Sequence, residues 1–161
     1  MNAFANLMLK TTQTKMNALS LPFISINNRC RKEDFIKHIL ICDDVADDSL
    51  LMETILATEE SEIETVDSGA AVLTYLETSH KKPDLLILDV MMPVMDGFEV
   101  VRHIRQSIEF QSLLILLVTS MSEDIAQQNS DVKVDGFIQK PIDPDVVITK
   151  VQAMLDLAEN N

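Results

Sequence analysis

The chain has 161 residues, 47% of them apolar, and a formal net charge of −13. That is enough for one compact domain with its own core and a segment to spare. The longest apolar run, LLILLV at 113–118, falls far short of the roughly 20 residues a membrane-spanning helix needs, so no membrane association is expected.

Residues 1–35 are rich in Asn, Thr, Ser and Met and broken by Pro22. They read as an N-terminal extension, either a flexible tail or a segment that docks on a partner. Lys10 and Lys15 interrupt its apolar residues, which argues against a signal peptide. Charge divides along the same line. Residues 1–38 carry six Lys or Arg against Glu33 and Asp34, whereas 39–161 carry seven basic residues against 24 acids. So acidic a body repels nucleic acid, and direct DNA binding is not expected.

From residue 38 the pattern alternates five times. HILIC (38–42) is a short apolar run ending in Asp43-Asp44. Within it Cys42 reads as a small core residue; with Cys30 it makes neither a disulfide framework nor a metal motif, and a reducing cytoplasm is the expected home. Residues 46–58 follow with helical spacing at Leu51, Ile55 and Leu56 and with acids in the first turn, where the helix dipole favours them. A half-covered strand over 62–68 leads through Gly69 to a helix over 70–79 that places Val72, Leu73 and Leu76 on one face. Pro83 introduces a third strand, DLLILD (84–89), and a helix over 97–107 follows. A fourth strand spans 113–120, a short fourth helix 123–130, a fifth strand 136–140 and a fifth helix 143–160, with proline in its first turn.

Strands alternating with helices imply an α/β fold, a doubly wound five-stranded parallel sheet with helices on both faces. The continuous apolar runs suit strands buried from both sides. In such sheets ligands bind just past the carboxyl ends of the strands. Here those ends carry Asp43-Asp44, Asp89, Thr119-Ser120 and Lys140-Pro141. Taken alone, Asp43 and Asp44 would serve as a helix cap and a solvated turn acid. Together, three converging acids repel one another, and an oxygen-only set of this kind favours Mg²⁺ over zinc. The set suits phosphoryl transfer onto a carboxylate: Asp89 attacks, Mg²⁺ and Lys140 neutralise charge, and Thr119 donates to an oxygen.

The segments ILICDD, LLILDVMMPVMDGFEV, LLVTS and GFIQKP resemble the receiver domain of two-component response regulators, over about residues 36–160. The resemblance implies a flavodoxin-like sheet of order 2-1-3-4-5, in a receiver domain spanning 36–161. It implies Asp89 as phosphoacceptor, loaded from a histidine kinase or a histidine phosphotransfer protein. Asp43, Asp44, Asp89 and the Met91 backbone carbonyl would hold Mg²⁺, Asp43 mainly through water. Thr119 and Lys140 would contact the phosphoryl group, Thr119 and Phe137 would form the switch, and the peptide before Pro141 would be cis. An output protein, or a second copy of the chain, would meet the face made by the fourth helix, fifth strand and fifth helix.

Two positions that tune phosphoryl lifetime in this family are Met91 and Met121, and apolar side chains there predict slow self-dephosphorylation. Residues 129–137, NSDVKVDGF, replace the usual small-residue turn, either as drift in a solvent-facing turn or as an altered output outline. No output domain is recognisable after the fifth helix, so a stand-alone regulator is expected, catalysing only its own phosphorylation and dephosphorylation. The alternative is a phosphorylation-independent pseudo-receiver, a protein-binding scaffold, against which the full set of site residues argues. A haloacid-dehalogenase-type hydrolase lacks its Asp-x-Asp pattern, and a flavodoxin's phosphate loop is contradicted by the acids of CDDVADD.

Overall fold

A computed structural model describes residues 36–122 and 132–159. The expected extension over 1–35 and the expected helix over 123–130 lie outside these residues. The order is β1 (Lys37–Cys42), α1 (Ala46–Leu56), β2 (Ser61–Val66), α2 (Gly69–Thr78), β3 (Leu85–Asp89), α3 (Gly97–Gln106), β4 (Leu114–Thr119), β5 (Gly136–Gln139) and a C-terminal helix, α4 (Pro144–Glu159). All strand pairings are parallel, in the order β2-β1-β3-β4-β5.

Side chains on a strand point alternately to its two faces, and here both faces are oily. Leu40, Cys42, Leu86, Leu88, Ile115 and Leu117 face one way, against Val72 and Leu76 of α2 and Val100, Val101 and Ile104 of α3. Ile39, Ile41, Leu85, Ile87, Leu116 and Val118 face the other way, against Met52 and Leu56 of α1 and Val147 and Val151 of α4. This double burial is why β1, β3 and β4 read as unbroken apolar runs rather than alternating ones. Each such side chain removed from water contributes about 1.5–3 kcal/mol.

Local signals set the helix starts. Asp96 caps α3 with a capping box: its carboxylate accepts from Glu99 N at 2.8 Å, and Glu99 Oε2 accepts from Asp96 N at 3.2 Å. Ser68 caps α2, accepting from Ala71 N. The N-cap of α1 is Val45, with no side-chain cap, so neither Asp43 nor Asp44 caps that helix.

Two expectations need correction. On α1 Leu56 is buried and Ile55 packs half-buried against the core, as the spacing implies, but Leu51 is exposed and Met52 and Ser49 are buried instead. Five of the seven residues from Leu50 to Leu56 are apolar, so the pattern does not select one face; packing on the sheet does. The described part of the turn before β5 is not wholly solvent-facing either: Val132 and Val134 pack half-buried against the core beside α2 and α3, while Lys133 and Asp135 are exposed.

Candidate acidic phosphotransfer site

The alternation that divides the core also builds the site. At the end of β3 and one residue past β1 and β5, it places Asp89, Asp43 and Lys140 on the side of the sheet covered by α1 and α4. Asp89 ends β3 and is 3% exposed. Asp43 is likewise buried, Asp44 exposed, and one carboxylate oxygen from each of the three lies within 4.8 Å of the others. The Lys140 ammonium pairs with Asp89 Oδ1 at 2.9 Å and donates to Asp43 Oδ2 at 3.0 Å and to Asp48 Oδ2 at 2.7 Å.

The backbone locks these groups together. Lys140 N donates to the Thr119 carbonyl at 2.8 Å, and Val90 N to the Val118 carbonyl at 2.9 Å. The Lys140–Pro141 peptide is cis. Asp43 Oδ1 accepts from Val45 N at 2.9 Å, so this acid's side chain bends its own loop back on itself. Gly97 N donates to the Val90 carbonyl, and a Cβ on Gly97 would stand 2.6 Å from the Asp89 carbonyl oxygen. No side chain fits between the start of α3 and the end of β3.

Burial raises the Asp89 carboxyl above the usual carboxylate range; Lys140 pulls against that shift, and Asp43 adds to it. Burial opposes the charge on Lys140, but its bonds to Asp48, Asp89 and Asp43 outweigh it and hold the ammonium's pKa above its ordinary value. One cation therefore pairs with three acids, and Asp44 adds a fourth to the cluster. A clustered, oxygen-only donor set with surplus negative charge fits a hard divalent cation such as Mg²⁺.

The remaining expected residues surround this cluster. Thr119 is buried at the end of β4, its hydroxyl accepting from Met121 N at 3.1 Å. Phe137, on β5 opposite Leu117, is buried in the core beside α2 and α3. Met91 is exposed in the loop after β3, and its N–H bonds the Asp89 carboxylate. Met121 is half-buried against the core. Asp48 escaped the sequence reading, which treated it only as a dipole acid in the first turn of α1. The strand alternation carried the missing signal: α1 covers the face that Asp43, Asp89 and Lys140 share, so an acid in its first turn meets them.

A parallel doubly wound sheet with three acids, a threonine and a lysine at its carboxyl edge defines a class of α/β protein with an acidic site just past its strand ends. Residues 39–152 match the response regulator receiver domain family, and the chain belongs to that family. Among its relatives, the alkaline phosphatase synthesis transcriptional regulatory protein PhoP of Bacillus subtilis (strain 168) is 33% identical over 126 residues, covering 76% of this chain and 50% of that protein. The transcriptional regulatory protein ResD of the same organism is 34% identical over 119 residues, 73% of this chain and 47% of its own length. The chain thus spans about half the length of the curated relatives it matches. Among solved structures, the signal receiver domain of a signal transduction histidine kinase from Syntrophus aciditrophicus has a TM-score of 0.69 at 27% identity, covering 78% of this chain and 94% of that one. The chemotaxis response regulator CheY4 of Vibrio cholerae gives 0.68 at 27% identity, with 74% and 98% covered.

Proposed function

We propose that this receiver accepts a phosphoryl group on Asp89 from a phosphohistidine of a kinase or phosphotransfer protein. The observation that carries the reading is the placement of Asp89: buried at the strand end, 2.9 Å from the Lys140 ammonium and grouped with two further acids. An Asp89 carboxylate oxygen attacks the phosphorus. The N–P bond breaks with its electron pair left on the imidazole, and an acyl phosphate forms. Asp43, Asp44, Asp89 and the Met91 carbonyl would hold Mg²⁺, Asp43 mainly through water; when bound, the ion offsets the negative charge of the acid cluster and the phosphoryl group. Lys140 donates to a phosphoryl oxygen, and the Thr119 hydroxyl turns from Met121 N to do the same.

Movement of Thr119 changes the room available to Phe137, and the surface around β5 and α4 carries that change to an output protein or to a second copy of the chain. The chain performs no reaction on other molecules, gaining and losing only its own phosphoryl group. Its place is the cytoplasm, where histidine kinases present their phosphohistidine. No described helix is long and apolar enough to cross a membrane. Met91 and Met121 offer no polar group to orient a hydrolytic water, which supports a phosphoryl lifetime of many minutes. Of the two, Met91 stands exposed beside the site while Met121 leans on the core.

Intact mass after incubation with Mg²⁺ and acetyl phosphate tests the reading. A single phosphoryl adduct on the wild type, absent from Asp89→Asn, is the expected result. No adduct on a folded wild type would favour a scaffold that binds partners without phosphate.

A further inference from the structure

Lys140 is held by three carboxylates: its ammonium donates to Asp43 at 3.0 Å and to Asp48 at 2.7 Å, and pairs with Asp89 at 2.9 Å. Asp43 and Asp89 belong to the acid triad at the strand ends. Asp48 does not. It stands on the first turn of α1, its side chain 34% exposed, and makes the shortest of the three contacts.

We propose that Asp48 is a positioning residue that holds Lys140 in the resting arrangement and opposes its transfer to the phosphoryl group. This rests on the phosphoacceptor reading of Asp89 and deepens it. The existing partners give the first reason. An ammonium already held by three carboxylates must loosen from one of them before it can donate to an incoming phosphoryl oxygen. The second reason is charge. The full negative charge on Asp48 draws the ammonium more strongly than a neutral side chain would, so the lysine leaves it less readily. Asp43 and Asp89 cannot be relieved of their charge without damaging the site itself, whereas Asp48 can.

The test measures initial phosphorylation rate by acetyl phosphate, and affinity for beryllofluoride with Mg²⁺ by calorimetry, on the full chain. Asp48→Asn keeps shape and removes charge; it is expected to raise the rate about five-fold, the scale of one partly exposed charged hydrogen bond, and to tighten beryllofluoride binding in proportion. Asp48→Glu, which retains the charge, is expected to stay near the wild type. In a Lys140→Ala background the gain from Asp48→Asn is expected to vanish, because the effect runs through the lysine. A merely structural role would lower the melting temperature without tightening beryllofluoride. An unchanged or slower Asp48→Asn, or a gain of equal size without Lys140, would overturn the proposal. A wild type that binds beryllofluoride but forms no adduct would sink the phosphoacceptor reading instead, and the affinity comparison would still decide the role of Asp48.

Discussion

The two ends of the sheet both gather charged residues, and they treat charge in opposite ways. At the amino ends of the strands charged groups are matched with partners. Arg105 Nε donates to the Lys133 carbonyl, Nη1 to the carbonyls of Gln111 and Leu113, and Nη2 to Asp135 Oδ2. Asp135 Oδ2 also accepts from Ile115 N at 2.9 Å, and Asp84 Oδ2 accepts from His38 N at 2.8 Å. Lys82 bonds the Leu76 carbonyl, pairs with Glu109 and lies over the Phe110 ring at 4.5 Å. At the carboxyl ends, Asp43, Asp44, Asp48 and Asp89 gather around one ammonium. Matched charges staple loops together; surplus charge of one sign raises the energy of the fold and lowers it again only when something of opposite sign binds.

Substitutions at each end sharpen this contrast. The largest effect is expected at Gly97, where a Cβ would meet Asp89 O at 2.6 Å and Val90 Cα at 2.9 Å. Both are backbone atoms and cannot step aside, so Gly97→Ala is expected to cost about 3 kcal/mol in urea unfolding and to abolish the phosphoryl adduct as well. Next comes Arg105→Ala. It strips four bonds from the amino-end loops and is expected to cost about 2 kcal/mol while leaving the adduct intact at a temperature where the variant is folded. Loss of phosphorylation in a folded Arg105→Ala would break the division between the two ends. The smallest effect is at Val94, exposed and held at a φ of 70°, where a β-branched residue is disfavoured. Val94→Asn is expected to add about 1 kcal/mol of stability, read in the same urea titration, because asparagine tolerates this conformation.

Much of this was legible in the residues. The five strands followed from four apolar runs and one half-covered stretch, the third helix from Gly97, and the last from a proline in its first turn. The acid, threonine and lysine positions followed from asking what sits at the carboxyl end of each strand. What periodicity could not supply was orientation. The seven residues from Leu50 to Leu56 are too uniformly apolar to reveal that Met52 rather than Leu51 faces the sheet. For the same reason Asp48 could not be told from Asp47, although only Asp48 reaches Lys140. The turn before β5 held its information in long-range contacts, of Val132 and Val134 with the core and of Asp135 with Arg105, which no local pattern carries.

The claim that the carboxyl-end acids are assembled for a ligand, at a cost to the fold, is tested most directly by melting the wild type and Asp89→Asn with and without Mg²⁺, at neutral and acidic pH. Burial holds the Asp89 carboxyl above its unfolded value, so its ionisation destabilises the fold as pH rises through the native value, and the cost is absent below the unfolded one near pH 3.9. Metal-free Asp89→Asn is therefore expected to melt above the wild type at pH 7, by about 1 kcal/mol of stability, with the gain fading in acid. Mg²⁺ is expected to raise the wild type's melting temperature and to do less for the variant. A variant that melts lower than the wild type at pH 7, with no response of the wild type to Mg²⁺, would show that Asp89 is a structural charge like Asp135 and would contradict the account.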